Sequence, residues 1–393
     1  MRNSRESSSF PMFSKLSLHF FYPKRQWIRA LFYFCIIMYV GLCYVSRKHL
    51  LPLARMLTNN KTIREVDNEH LKFTCIWSVV DRREKCKPRC GHGYFGLYGM
   101  TKCQPWLSCE EIDQLKMRGG IGHHGYVKEI WRSHWKTFPV VVKKLRRNDI
   151  AGIVGKDGYF KGIDLMKNFF QPSVLLQLVG HCNDVIVTEV HPLLDAQDIE
   201  NRWKEYPTYN TVSTRLGMCI TYVDILKVLQ SGTDGKIYVQ CDAPSLNKLT
   251  QQFLITEDFR LVLSDVDSIE TILLNGTNRR LIKCTDWGEL HGHFSAPEQL
   301  WPYNESFQAD KMPLYDEKIE IWKIPDVCLF FLGEDPSAFL VKRSLKNIHK
   351  QCKNQDPRKR PSAEEVLQVY IRVLRDVVGS TMNMTLYSSQ QDN

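Results

Sequence analysis

At 393 residues, 43% hydrophobic and 24% charged, the chain has globular composition and is long enough for one large or two ordinary domains around a buried core. Its net charge of +10 is spread among acidic residues without any nucleic-acid reader motif. That excludes nucleic acid as a partner and leaves an ordinary surface with some pull on anionic ligands.

Residues 1–29 are basic and Ser-rich, with Arg2, Arg5, Lys15, Lys24, Arg25 and Arg29 against the single acidic Glu6. The uncharged run from Ala30 to Val45 is apolar on all sides, which predicts a transmembrane signal anchor over residues 30–46 behind a cytoplasmic tail. A bilayer core needs about 17 such residues at the least. A cleaved signal peptide fits poorly, because no small-x-small site follows. The glycosylation sequons at Asn60, Asn275, Asn304 and Asn383 all lie after the anchor and put that side in the lumen. Cysteine usage agrees. Of thirteen cysteines, five crowd between Cys75 and Cys109, which reads as disulfides in an oxidising compartment. A zinc site from Cys86, Cys90, Cys103 and Cys109 is the competitor, with spacings loose for structural zinc. Residues 47–85 read as a lumenal stem and Gly91 to Ser108 as a disulfide-pinned cap outside the sheet.

In GGIGHHGYVKEI, Gly120, Gly122 and Gly125 form G-x-G-x-x-G with Val127 two residues on, and β-type residues rather than a helix follow. Such glycines let backbone amides approach phosphates, with Val127 covering a base. Lys143 ends the strand-like run VVVKKL, and alternation from Val141 places it, rather than Lys144, on the phosphate side. Asp157 to Phe170 has helical spacing but offers no Glu to hold that lysine, Asp164 being the nearest substitute. The runs VLLQLVG and VIVTEV follow as strands. Thr188 then borders a nucleotide pocket, and the backbone from Glu189 to His191 meets the adenine.

After a predicted helix over 213–230 comes YVQCDAPSLNKLTQQFLITEDFRLVLSDVDSI, with Asp242 and Asp265 each ending an apolar strand. Phosphoryl transfer needs two carboxylates so presented, one as base toward the acceptor hydroxyl and one as ligand of Mg2+ or Mn2+. Gln240-Cys241-Asp242 stands where His-Arg-Asp is usual in kinases, and Ser264-Asp265-Val266-Asp267 where Asp-Phe-Gly is usual. The second metal ligand falls on Asn247 counted from Asp242, or on Gln252 counted from Asp265. Keeping FLI and RLVLS paired without a gap favours Gln252 and implies an insertion of about five residues in the loop. With Cys241 in place of Arg, no phosphorylated segment is needed for ordering, and a Cys241–Cys284 disulfide would serve instead. Ala296-Pro297-Glu298 and Arg360 complete the pattern as a buried pair. Together these motifs predict an α+β, bilobal, protein-kinase-like fold over 86–378, with a small β-rich lobe, a larger helical lobe and a tail at 379–393.

Three phrases carry a closer likeness: CQPWLSCEEI (Cys103 to Ile112), HGHFSAPEQLWP (His291 to Pro302) and MPLYDEKIEIWKIPD (Met312 to Asp326). Over residues 86–375 the chain resembles the protein O-mannose kinase family. The resemblance implies a single-pass type II protein of the endoplasmic reticulum membrane with a lumenal catalytic domain. It implies use of ATP and a divalent metal to phosphorylate the 6-hydroxyl of mannose in a GalNAc-GlcNAc-mannose trisaccharide on α-dystroglycan. Asp242 matches the base and Asp265 the metal ligand. For the phosphate-pairing lysine, Lys128 stands as the alternative to Lys143. A pseudokinase scaffold for glycosylation enzymes and a secretory-pathway protein kinase are the competing readings.

Overall fold

The computed structural model describes residues 73–120, 127–146, 150–169, 173–232, 235–275, 278–284 and 288–391, within one compact unit spanning 52–393. The expected cytoplasmic tail and anchor, most of the stem, Asn60, Gly122 and Gly125 lie outside the described residues. No helix among the described residues is long and apolar enough to cross a membrane.

The fold begins with an antiparallel hairpin, β1 (Phe73–Ser78) and β2 (Arg83–Pro88), in which Cys75 faces Cys86 and is disulfide-bonded to it. These strands fall where the stem was expected. A lone two-stranded hairpin is marginal in water. This one is held by its disulfide and by docking, with Val79 N donating to Glu257 O at 2.9 Å and Lys85 Nζ to Glu257 Oε1 at 2.9 Å.

The cap follows as β3 (Tyr94–Phe95), β4 (Gln104–Pro105) and α1 (Cys109–Asp113), the last opened by a Ser108–Glu111 capping box. Cys90–Cys103 closes the cap and Cys109–Cys182 staples it to the main sheet. Disulfides, not zinc, therefore account for the crowded cysteines. Among the described residues, no group of three or more His, Cys, Asp or Glu could hold a metal. Leu107 forms a parallel bridge to Gly180, and a Cβ at Gly180 would stand 2.7 Å from that of Leu107, so only glycine admits this approach.

The main sheet is antiparallel, in the order β5-β6-β7-β9-β8, from β5 (Arg118–Gly120), β6 (Lys128–Trp135), β7 (Phe138–Leu145), β8 (Leu178–Cys182) and β9 (Val185–Glu189). Period-two alternation divides its faces. Val140, Val142, Val179 and Val187 bury against Phe95, Leu107 and Ile112 of the cap. Val141 and Lys143 point the other way with their ladder partners Thr188 and Ile186. Helix α2 (Ile150–Asn168) covers that second face through Tyr159, Ile163 and Met166. It starts seven residues before the expected Asp157, because exposed Ile150, Ile153 and Val154 break the apolar stripe that marks a helix in sequence.

The second lobe holds α3 (Ile199–Glu205), α4 (Val212–Leu229), β10 (Lys236–Gln240), α5 (Leu246–Gln251), β11 (Phe253–Ile255), β12 (Leu261–Leu263), β13 (Ile269–Asn275), β14 (Asn278–Arg280), α6 (Lys318–Leu332), α7 (Phe339–Cys352) and α8 (Ala363–Gln391). Leu216, Tyr222 and Val223 of α4 pack with Ile321, Ile324 and Phe331 of α6 and with Val366 and Tyr370 of α8. A β-rich lobe followed by a larger helical one is the expected order.

Candidate active site

Strand β10 delivers the chain to Asp242, and the loop around it is fastened from below. Gln240 N donates to Glu320 Oε1 at 3.1 Å, and Lys323 Nζ donates to Ala243 O at 3.0 Å, Glu320 and Lys323 both being buried on α6. The expected Cys241–Cys284 disulfide is present, and Cys241 N donates to Ser268 O at 3.0 Å. The expected insertion is α5, started by Ser245, whose Oγ accepts from Lys248 N. The helix aims Lys248 back at the loop, so that Lys248 Nζ and Gln252 Nε2 reach Asp242 Oδ2 at 2.9 and 3.0 Å.

Gln252 couples the two carboxylates. Its side chain holds Asp242, while its carbonyl accepts from Ser264 N at 2.8 Å and Asp265 N at 3.2 Å. This follows from the β11–β12 ladder, in which Phe253 faces Leu263 and their flanking residues meet. Asn247 sits exposed on α5, so the gapless strand count places the side chain at this junction where the count from Asp242 does not.

The lysine contact falls differently from the alternation argument. Lys128, first residue of β6, donates to Asp265 Oδ1 at 2.9 Å and to Asp267 Oδ2 at 2.8 Å. Lys143 is buried in the same cleft but donates to Ser264 O at 3.2 Å and Ser264 Oγ at 3.4 Å. The missing helix Glu is replaced by Asp267, which sequence reasoning passed over. Glycines make the replacement possible: a Cβ at Gly158 would lie 2.7 Å from Asp267 O, and one at Gly162 would lie 2.9 Å from Asp267 Oδ1. The Gly158-x3-Gly162 spacing on one face of α2 was the signal available in the sequence. Asp164 is exposed beside Lys167 and takes no part.

The charges follow from this packing. Burial disfavours the Lys128 cation, but Asp265 and Asp267 overcome it and hold its pKa well above the ordinary value. Burial and the neighbouring Lys128 cation bring Lys143 down to about 8. Burial would raise Asp265, yet Lys128 holds it at about 2, an ionised carboxylate at neutral pH.

On the nucleotide side, Gly120 ends β5. Val127, expected over the base, lies against Gly155 of α2, where an added Cβ would stand 2.5 Å from its Cγ2. Glu189 is buried, bound by Lys87 Nζ at 2.5 Å and by Gln177 N at 3.1 Å, and His191 Nε2 lies 3.6 Å from it. Burial works against the Glu189 charge, but Lys87 and His191 hold its pKa far below the ordinary value. Its side chain is thus committed to structure. Thr188 Oγ1 and Gln252 Oε1 are buried without a hydrogen-bond partner among the described residues. A buried polar atom left unpaired costs about 1–3 kcal/mol, so these two atoms fit a site completed by a ligand. For Gln252, beside the ionised Asp265, the fitting partner is a hard cation with oxygen ligands.

A cavity of about 570 Å³ opens beside the Asp242 loop, lined in part by Pro244, Ser245, His291, Phe294, Asp326 and Phe330. The segment carrying His291 and Phe294 is anchored by Glu298, whose carboxylate takes Arg360 Nη1 at 2.5 Å and Nη2 at 2.7 Å.

No family model matches the chain. A protein O-mannose kinase of Macaca fascicularis is 39% identical over 326 residues, covering 79% of this chain and 89% of that protein. The Homo sapiens protein O-mannose kinase is 37% identical over 317 residues, 77% of this chain and 87% of that protein. At a greater distance, the probable serine/threonine-protein kinase drkB of Dictyostelium discoideum is 22% identical over 66% of this chain and 37% of its own length.

Proposed function

The chain belongs to the protein O-mannose kinase family, and from that membership we propose that it transfers the γ-phosphoryl of ATP to the 6-hydroxyl of an O-linked mannose, within a GalNAc-GlcNAc-mannose trisaccharide on α-dystroglycan. As a family member with a kinase-like fold it is a phosphotransferase acting on a sugar hydroxyl. The observation that carries the site assignment is Gln252, which joins Asp242 to Asp265 across one cleft.

Asp242 is the group that takes the proton of the attacking hydroxyl, its carboxylate oriented by Lys248 and Gln252. Asp265 and Gln252 are the residues that hold Mg2+ or Mn2+, and a cation bound there supplies charge neutralisation for the nucleotide phosphates. Lys128 takes the phosphate-pairing role. An ammonium has three donors, and two of them go to Asp265 and Asp267, leaving one for a phosphate oxygen. Lys143 supports the turn at Ser264. The backbone from Glu189 to His191 receives the adenine, and the cavity beside Pro244 receives the acceptor glycan. Four disulfides support a lumenal site of action, and with it the type II anchoring in the endoplasmic reticulum membrane that residues 30–46 suggest.

The test incubates the protein with ATP, Mg2+ and the mannose-ended trisaccharide, beside Asp242→Asn and Asp265→Asn. Phosphate should appear on the mannose with wild type and with neither variant. Glycan binding without transfer by wild type would instead favour a scaffold.

A further inference from the structure

Eleven cysteines lie among the described residues; eight form the four disulfides, and Cys219, Cys328 and Cys352 remain as buried thiols. Two of these three meet. Cys219 on α4 and Cys328 on α6 are almost wholly enclosed, and their sulfurs lie 2.7 Å apart across the helix–helix contact. A covalent S–S bond measures about 2.05 Å and non-bonded packing contacts lie at roughly 3.5–4.0 Å, so the pair is drawn inside packing distance toward bonding distance. We propose that Cys219 and Cys328 form a fifth disulfide in the native protein, joining α4 to α6 at the centre of the helical lobe.

The chemistry balances with the kind of oxidant that makes the other four. The Cys328 thiolate attacks a disulfide of an oxidoreductase, giving a mixed disulfide and one reduced thiol on that enzyme. Cys219 then displaces the enzyme's second sulfur. The two protein thiols lose two protons and two electrons, and the enzyme's disulfide becomes a dithiol. Exposures of 0% and 1% mean that the exchange takes place before the lobe closes and that reductants cannot reverse it afterwards. Cys352, enclosed at the end of α7, is left as the odd thiol.

The position gives the bond a use. Helix α6 carries Glu320 and Lys323, which fasten the loop at Gln240 and Ala243. Cys241–Cys284 pins the same loop from its other side. A bond between Cys328 and Cys219 would fix the helix that positions Asp242, closing a loop of sequence separation 109.

The full chain, expressed through a secretory pathway, is denatured without reductant in N-ethylmaleimide, digested and weighed. The expected result is one linked species of the Cys219 and Cys328 peptides, lighter than their sum by two hydrogens, with the label on Cys352. Label on Cys219 and Cys328, or a Cys328–Cys352 link, overturns the proposal. Thermal unfolding of Cys219→Ala, Cys328→Ala and the double variant gives a second readout. A bond predicts that each single variant loses several degrees and that the double loses no more than either. Additive losses indicate packing alone and overturn it. Should the variants fail to fold, the wild-type labelling decides.

Discussion

The Glu298–Arg360 pair is the contact whose removal the structure ranks most clearly, because its two ends differ in access to water. The Arg360 side chain is 0% exposed and Glu298 is 17% exposed. Arg360 also donates from Nε to Asn354 O at 2.8 Å and from Nη1 to Lys318 O at 2.9 Å, and its guanidinium lies 5.0 Å from the Trp322 ring centre. Glu298→Gln removes the only carboxylate bound to this cation among the described contacts and leaves the charge enclosed. Breaking a buried pair in this way costs about 3–5 kcal/mol. At roughly 2–4 °C per kcal/mol for a domain of this size, Tm should fall by about 6–20 °C in differential scanning calorimetry. Arg360→Met should cost less, since Glu298 can recruit water. The double variant Glu298→Leu with Arg360→Met should recover most of the loss, because the desolvation of both charges disappears together. A Glu298→Gln protein melting within about 2 °C of wild type, or a double variant no more stable than the worse single, would refute the reasoning.

The two site lysines should separate. Lys128→Met should abolish transfer, whereas Lys143→Met, which loses contacts to Ser264 alone, should raise Tm and retain measurable transfer; the reverse order of activities in the phosphate assay would return the phosphate-pairing role to Lys143. Gly158→Ala gains about 1 kcal/mol of helix propensity but drives a Cβ to within 2.7 Å of Asp267 O, so both Tm and transfer should drop, and a stabilised active variant would contradict the close approach. Burial lifts Glu320 from 4.5 to about 7 against its bonds to Gln230 and Gln240. The folded state therefore holds a proton that the unfolded state releases between those values. The stability from this group is fully present below about 4.5 and is lost as pH rises through about 7. Glu320→Gln should gain on wild type by up to about 3 kcal/mol between pH 5 and 8, and parallel melting curves across that range would exclude the titration.

What could be read from the chain before its fold was what local periodicity carries. The strands around Lys143 and Thr188 were visible in their alternation, and the helix over 213–230 in its spacing. Gln252 was recoverable because a strand ladder tolerates no slip, so counting from FLI and RLVLS fixed its place beside Asp265. The hairpin at Phe73–Pro88 was not visible, since its short polar strands depend on a disulfide whose pairing no spacing reveals. The same limit explains the lysines. Alternation correctly turned Lys143 toward the cleft, but which lysine meets Asp265 depends on how closely α2 approaches Asp267, and that is set by Gly158 and Gly162 in contact with a segment over a hundred residues away.

This distant contact also changes what the site is electrostatically. Lys128, Lys143 and Lys248 are gathered with Asp242, Asp265 and Asp267, three cations against three anions. A helix glutamate pairing the lysine would leave the second carboxylate of the SDVD turn without a cation. Here the turn itself supplies both carboxylates, and the helix contributes space instead of charge. The arrangement is therefore closed before any nucleotide enters: Lys128 and Lys248 are already oriented by carboxylates that phosphates will not have to replace, and Lys143 is oriented by Ser264. Preorganisation of this kind lowers the reorganisation needed when charge develops on the transferring group. It also accounts for a loop built without the usual Arg: Cys241–Cys284, Glu320 and Lys323 hold Asp242 in place through covalent and buried contacts that no phosphorylation event has to create.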